Sequence, residues 1–153
     1  MVADDALSTA PFERRELAGL PELSMLPVRP GEEPWTSAEV LEVRRQLVLE
    51  VNRLAAELSS ADVGLSELLR NSGDGAGDDQ ADSGSSALER EQELTLVNNT
   101  RNLLAQATHA LARIGAGTFA SCDSCGEPIG KARLLAFPRA TLCVTCKQRE
   151  ERR

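Results

Sequence analysis

The chain has 153 residues, of which 27% are charged and only 3% are aromatic, and its formal net charge at pH 7 is -7. So few aromatic side chains are a thin supply for a large globular core, whereas helices packed along a narrow apolar seam need less. The N-terminal stretch MVADDALSTA has no apolar signal-peptide core, and no run approaches the ~18 apolar residues of a membrane span. We therefore expect a cytoplasmic protein with no membrane partner.

Residues 1–35 contain five of the seven prolines and show no sustained apolar periodicity. This composition predicts a disordered or loosely docked N-terminal extension. Regular structure is predicted to begin at the sequence TSAE, where Thr36 and Glu39 have the spacing of a helix capping box and the apolar pattern starts directly afterwards.

The segment 36–115 repeats apolar residues in alternating steps of four and three, the pattern of helical heptads. The first stripe consists of Leu47, Val51, Leu54, Leu58, Ala61, Leu65 and Leu68. The second consists of Val97, Leu104, Ala107, Leu111 and Ile114, and Gly115 and Gly117 follow as expected C-cap residues. Two such helices bury their stripes most simply against each other, which predicts an antiparallel coiled-coil hairpin and a monomer. An intermolecular coiled coil could use the same seam.

Glycine, serine and aspartate crowd together between about residues 71 and 85, at a density that a helix interior does not favour. We expect this segment to be the loop of the hairpin, with the second helix starting after Ser86, which has the capping-box spacing to Glu89. Residues 71–93 carry seven acids and one base, a net charge of -6. The loop is therefore expected to form an acidic tip, although a solvated flexible loop has the same composition.

Residues 116–153 hold all four cysteines, in two C-x-x-C pairs with 17 residues between them: Cys122, Cys125, Cys143 and Cys146. Two pairs at this separation are typical of a zinc ribbon, in which four thiolates surround one tetrahedral Zn2+. Gly126 suits the turn after the first pair because it tolerates positive φ. Disulfides or a redox-active C-x-x-C are the competing interpretations, and both are disfavoured by a reducing cytosol and by the lack of a βαβ pattern. Four thiolates leave no open coordination position, so the expected zinc is structural. Because the sequence also shows no nucleophile–base pair, we expect that the protein is not an enzyme.

The expected fold is thus mainly α, an antiparallel coiled-coil hairpin followed by a C-terminal four-cysteine zinc finger with a short terminal helix. The finger pattern C-x-x-C-G-x-x-I-x-x-x-R-L-x-A-x-P and the second C-x-x-C resemble the DksA/TraR family of bacterial regulators that bind RNA polymerase. The residues that carry this resemblance are Cys122, Cys125, Gly126, Ile129, Arg133, Leu134, Ala136, Pro138, Cys143 and Cys146. Together with the predicted hairpin, the resemblance covers roughly residues 37–153.

The resemblance implies a transcription regulator that inserts its hairpin into the secondary channel of RNA polymerase and modulates initiation. The family's tip reads D-x-x-D-x-A and aligns with DQADSG, so Asp79 and Asp82 are the implied tip residues, and Gly84 stands where the family has alanine. Our hypothesis is that the base of the protein docks on the polymerase through three basic residues of the finger: Arg133, Arg139 and Lys147.

The resemblance also implies a nucleotide site, because in DksA-type members the second helix is rich in lysine and arginine and helps form a site for guanosine tetraphosphate. Here the stretch LTLVNNTRNLLAQATHAL offers only Arg101 as a cation, so we expect weak or absent binding of this nucleotide. Two other functions fit the same residues. The protein could be a zinc-containing helical adaptor for another assembly, or a zinc ribbon that binds nucleic acid, although residues 122–153 carry only seven bases against four acids. We expect no sequence-specific binding to DNA.

Overall fold

The computed structural model describes residues 22–72 and 80–153, without the side chains of residues 71, 72 and 80–83. In these ranges a short 3-10 turn, Leu23–Met25, is followed by four helices: α1 (Ser37–Ser72), α2 (Gln80–Ala116), α3 (Lys131–Ala136) and α4 (Val144–Glu151). Within the same ranges, β pairing is limited to one isolated antiparallel bridge between Ser121 and Pro128. The mainly helical class is confirmed.

Helix α1 begins with the capping box that the sequence TSAE predicts. The backbone N–H of Glu39 donates to Thr36 Oγ1 over 3.2 Å, and the backbone N–H of Thr36 donates to Glu39 Oε2 over 3.3 Å. These reciprocal bonds satisfy two donors that a helix N-terminus otherwise leaves unpaired. The start of the ordered hairpin is therefore encoded locally.

Helix α2 ends in a Schellman motif. The N–H of Gly117 donates to the carbonyl of Ile114 over 3.1 Å, and the N–H of Thr118 donates to the carbonyl of Arg113 over 2.9 Å. This turn requires a left-handed residue at its corner, and Gly117 has φ 77°. Gly117 is thus the C-cap glycine, as expected, whereas Gly115 lies within the helix.

Helix α2 begins earlier than expected. It starts at Gln80 rather than after Ser86, so residues 80–85 of the expected 71–85 loop are helical, and residues 71 and 72 still belong to α1. The expected second capping box is wrong, because Ser86 lies inside α2. The physical reason is that glycine and serine each cost a helix about 1 kcal/mol or less, while the seam pattern continues backwards through half-buried Glu93, Arg90 and Ser86. Residues 73–79 lie outside the described residues.

The described chain divides into two compact units. Unit 2, Leu49–Gln106, pairs α1 with α2 around buried Leu54, Ala61, Val97 and Thr100. Arg101 Nη2 lies 3.8 Å from Asp62 Oδ1, and a Cβ on Gly64 would lie 3.8 Å from Glu93 Oε2. Since the higher number on one helix meets the lower number on the other, the helices run antiparallel within one molecule.

Of the described residues, unit 1 comprises 22–48 and Ala107–Arg153. Its core combines the N-terminal part of α1, the C-terminal part of α2 and the finger, and its buried apolar side chains include Leu26, Trp35, Val40, Val43, Leu47, Ala107, Ala110, Ile114, Phe119, Ile129 and Leu134. The rings of Trp35 and Phe119 pack edge to face with centroids 5.2 Å apart. An aromatic pair of this kind stabilises a fold by more than its buried area alone predicts. The finger and the helix ends therefore share one hydrophobic core.

Residues 22–35 correct the expectation of a disordered or loosely docked extension. Trp35 is only 4% exposed and Leu26 is 6% exposed, so both side chains belong to the core of unit 1. The indole N–H of Trp35 donates to the carbonyl of Pro27 over 3.4 Å. The prolines restrict the chain without preventing it from packing, because proline fixes φ and removes an N–H donor but leaves its ring and its carbonyl able to make contacts. Residues 1–21 lie outside the described residues.

Candidate metal centre

The first cysteine pair lies in a tight turn closed by backbone hydrogen bonds. The N–H of Cys122 donates to the carbonyl of Glu127 over 2.8 Å, and the N–H of Gly126 donates back to the carbonyl of Cys122 over 3.0 Å. Gly126 has φ 76°, a conformation that other residues adopt only with strain. The glycine after the first pair is therefore required by the turn, as the sequence predicts.

The second pair lies at the start of α4. Cys143 is its N-cap residue, and its sulfur accepts a hydrogen bond from the backbone N–H of Cys146 over 3.5 Å. The backbone N–H of Cys143 donates in turn to Cys122 Sγ over 3.3 Å, and the N–H of Asp123 donates to the carbonyl of Thr141 over 2.8 Å. These bonds join the two pairs, so the backbone holds both in one site.

The four sulfur atoms form one cluster. Those of Cys122, Cys125, Cys143 and Cys146 all lie within 4.8 Å of one another, and the sulfurs of Cys125 and Cys143 are 3.8 Å apart. Zinc–sulfur bonds of about 2.3 Å in a tetrahedron place two sulfurs about 3.8 Å from each other. The cluster therefore fits a closed, four-coordinate Zn2+ site, in which the ion would cross-link the two pairs and leave no position for a substrate.

The electrostatics of the cluster favour a cation. Burial opposes ionisation of Cys122, but hydrogen bonds from the backbone N–H groups of Cys125, Cys143 and Ser124 outweigh it and lower its pKa to about 6. At Cys125 the backbone N–H of Glu127 favours the thiolate, yet desolvation and hydrogen bonds with the other sulfurs raise its pKa to about 12. Cys122 thus ionises readily, whereas Cys125, which is hydrogen-bonded to the other sulfurs, does not. A divalent cation would favour the ionised form of all four.

A buried arginine supports the cluster, and the sequence analysis did not find it. Arg113 is 5% exposed and donates from Nη2 to the carbonyls of Thr118, over 2.7 Å, and of Ser121. Its Nε lies 3.4 Å from Asp123 Oδ1, and His109 Nε2 lies 3.4 Å from the other oxygen of this carboxylate. Asp123 follows the first zinc-site cysteine, so Arg113 fixes the loop that presents it. The only signal in the sequence is an arginine beside the seam residue Ile114, just before the C-cap.

The three basic residues expected to dock on a partner all lie in the finger, but they differ in their surroundings. Arg133 is half-buried, donates from Nε to the carbonyl of Leu142 over 3.1 Å and has its guanidinium 5.9 Å from the centroid of Phe137. Arg139 is also half-buried. Lys147 is exposed and pairs with Glu150 over 3.1 Å. Lys147 is thus the most accessible of the three, and Arg133 also holds the finger together.

The expected tip residues fall at the edge of the described chain. Asp79 lies outside the described residues, and Asp82 lies in the first turn of α2, where its side chain is not described. An acid at this position favours a helix because of the helix dipole. Gly84 is helical and exposed, and a Cβ placed on it would meet nothing within 4 Å. The alanine that the family has at this position would therefore fit.

Comparison with known proteins agrees with this site. The family profile of the prokaryotic dksA/traR C4-type zinc finger matches residues 117–152. The RNA polymerase-binding transcription factor DksA of Escherichia coli K12 is 33% identical over 121 residues, which are 78% of this chain and 76% of that protein. The protein of the same description from Caulobacter vibrioides is 43% identical over 75 residues. The match spans about half of the Caulobacter protein, namely 53%.

Among solved structures, transcription factor DksA2 from Pseudomonas aeruginosa superposes with a TM-score of 0.63 at 29% identity, and the match covers 91% of this chain and 96% of that one. Fold and site together define a helical-hairpin protein with a closed four-cysteine metal centre. The chain belongs to the DksA/TraR family, and its expected single zinc ion is confirmed as the metal of this C4-type finger. Over the residues that the structure describes, no helix combines the length and apolar character needed to cross a membrane.

Proposed function

We propose that this protein is a transcription regulator that binds RNA polymerase and inserts the tip of its helical hairpin into the secondary channel of the enzyme to modulate initiation. The observation that carries the proposal is the extent of the similarity. It reaches beyond the finger to 78% of the chain in the comparison with a protein described as an RNA polymerase-binding transcription factor, and the hairpin and finger both have counterparts in DksA2.

The charge distribution supports a role for the tip. Residues 71–93 carry seven acids and one base, whereas residues 122–153 carry four acids and seven bases. Carboxylates held at the end of a paired-helix stalk can enter a cavity that a globular surface cannot reach, and Mg2+ or basic side chains in that cavity would attract them. We assign this action to Asp79 and Asp82, with Gly84 beside them on α2, and docking of the finger to Arg133, Arg139 and Lys147.

On this proposal the protein acts by changing the populations of polymerase conformations and performs no chemistry of its own. Four sulfur ligands close the metal site, and a zinc ion without an open position serves as a structural cross-link. The protein then works in the cytoplasm as a monomer, because its seam is used within one hairpin. Guanosine tetraphosphate has little to bind on α2, where Arg101 is the lone cation between Leu94 and Leu111.

The experiment has a binding arm and an activity arm. Purified protein is tested for binding to core RNA polymerase, alone and in competition with a protein known to occupy the secondary channel. We expect competition. Binding without competition would refute insertion into the secondary channel, and no binding would favour an adaptor for another assembly.

In transcription assays, Asp82→Asn should abolish the regulatory effect with nearly unchanged polymerase affinity. Glu67→Gln is the matched control, because Glu67 is an exposed acid on the other helix of unit 2. Equal effects of both variants would refute a specific role for the tip.

A further inference from the structure

A cavity beside the zinc-site cysteines is walled in part by the N-terminal segment 22–35, which we call the strap. It has a volume of about 370 Å³, and its lining includes Arg29 and Pro30 from the strap together with Cys125, Cys143 and Cys146. Cys125 is the exposed member of the cluster. A ligand that competes for zinc must reach a sulfur or the ion from a side where the protein leaves room, and this cavity is such a side.

From this arrangement we propose that the strap guards the zinc centre: while it is docked, Arg29 and Pro30 restrict access to the cysteines, and when it is released the metal becomes exchangeable. Glu32 would be the residue that positions the strap, and Arg29 the residue that covers the opening. The proposal rests on the zinc site and is independent of any interaction with RNA polymerase.

Glu32 anchors the strap to the finger. Its Oε2 accepts hydrogen bonds from the backbone N–H groups of Lys131, over 2.8 Å, and Ala132, over 3.4 Å. Its Oε1 accepts from the backbone N–H of Arg29 over 2.8 Å. One carboxylate thus ties the chain beside the cavity to the first turn of α3, and hydrogen bonds to an ionised acceptor are the stronger kind. Desolvation opposes ionisation of Glu32, but these bonds outweigh it and lower its pKa.

Lys131 supplies a second anchor. Its Nζ lies 2.7 Å from Glu39 Oε2, donates to the carbonyl of Pro34 over 3.2 Å and lies 5.7 Å from the ring centroid of Trp35. Its side chain is only 11% exposed, so water screens these contacts little. The lysine therefore holds the end of the strap between the start of α1 and the finger.

Close packing shows that the finger is shaped to receive the strap. A Cβ on Gly130 would lie 2.9 Å from Cδ of Arg29, closer than side chains approach in proteins. Gly130 also has φ 105°, which favours glycine. The glycine at this position thus leaves room for the Arg29 side chain to lie across the finger, next to the cavity that it lines.

The anchors lie between the two cysteine pairs in sequence, and this position couples the strap to the metal. Gly130, Lys131 and Ala132 belong to the loop and short helix that connect Cys125 with Cys143. A zinc ion held by Cys125 and Cys143 would fix both ends of this connection and so stabilise the surface on which the strap docks. Because such coupling is reciprocal, the docked strap must also stabilise the bound ion.

The first test measures zinc transfer from the loaded, full-length protein to an excess of a chromogenic chelator. Glu32→Gln should release zinc about 10-fold faster than the unmodified chain, because it removes the charge that strengthens three hydrogen bonds. Glu33→Gln is the matched control, since Glu33 is the adjacent exposed acid. It should release zinc at the unmodified rate. Circular dichroism of each variant checks that the helices are intact.

A second variant distinguishes the role of Arg29 in covering the cavity from the role of Glu32 in anchoring the strap. Arg29→Ala shortens the side chain that lines the cavity but keeps the backbone N–H that Glu32 binds, so zinc release should accelerate while the strap stays docked. Docking is followed through Trp35, the single tryptophan of a chain that has no tyrosine. Its quenching by acrylamide should stay low in Arg29→Ala and rise in Glu32→Gln. Zinc removal from the unmodified chain should also raise it.

The outcomes decide the proposal. Faster release from both Arg29→Ala and Glu32→Gln, with Glu33→Gln at the unmodified rate, supports a guarding strap. Release at the unmodified rate from either test variant overturns it, as does quenching of Trp35 that does not change when zinc is removed. Loss of polymerase binding or of transcriptional regulation has no bearing on these measurements, so this proposal and the proposed function can fail separately.

Discussion

Arg113 offers the sharpest test of how the finger is joined to the helices. Replacing it by methionine keeps an apolar stem but removes the donors that bind the carbonyls of Thr118 and Ser121 and the charge 3.4 Å from Asp123. Two hydrogen bonds from a charged group, at about 1.5–3 kcal/mol each, account for most of the effect, and the ion pair adds little because the Asp123 side chain is 46% exposed. Since Arg113 is 5% exposed, we expect Arg113→Met to lower the free energy of unfolding of unit 1 by about 3–5 kcal/mol.

The matched control is Arg101→Met on the same helix. The Arg101 side chain is 59% exposed and lies 3.8 Å from Asp62, so this pair should contribute less than about 1 kcal/mol. Urea titration of the zinc-loaded protein, followed by Trp35 fluorescence, reports on unit 1. With a urea dependence of about 2 kcal/mol per molar, the middle of the usual range, the midpoint of Arg113→Met should fall by about 1.5–2.5 M. Midpoints of the two variants within about 0.5 M of each other would show that Arg113 is not the link we infer.

The other predictions concern the ends and the exposed surface of the long helices. Gly84→Ala should raise the free energy of unfolding by about 0.5–1 kcal/mol, because Gly84 is helical and an added Cβ would meet nothing within 4 Å. A lower melting temperature would contradict this. Gly117→Ala should lower it by about 1–2 kcal/mol, because φ is 77° there; an unchanged melting temperature would mean that the C-cap tolerates alanine. Thr36→Ala should lower the free energy of unfolding by about 1 kcal/mol, because it removes the capping bond to Glu39. Ser37→Ala is the neighbouring control, and equal stability of the two variants would contradict the capping role.

The metal centre was predictable from sequence because its chemistry is local. Each C-x-x-C pair forms its own turn, and Gly126 after the first pair has the positive φ that this turn needs. Two C-x-x-C pairs at this spacing are typical of a zinc ribbon. The paired helices were predictable for a similar reason, since their alternating steps of four and three describe one face of a helix whatever lies opposite.

The start of α2 shows where local reasoning fails. The residues from Gln80 to Ser86 include glycine and serine, which lower helix propensity, yet they continue α2. Propensity differences of less than about 1 kcal/mol per residue decide the structure only where packing does not. Half-buried positions of the seam extend back to Ser86, so the pairing with α1 outweighs the composition of the segment.

The amino-acid sequence by itself determined the helical heptads, the capping box at Thr36 and the C-cap at Gly117, because each depends on residues within a few positions of one another. It also determined the four sulfur ligands, because their two C-x-x-C pairs have the spacing of a zinc ribbon. Only the tertiary structure decided that residues 22–35 pack against the finger and that Arg113 is buried beside it. Glu32 and the N–H of Lys131 are 99 residues apart in sequence. The sequence near Glu32 does not identify so distant a partner, and contacts of this kind are what make the N-terminal segment part of the zinc module.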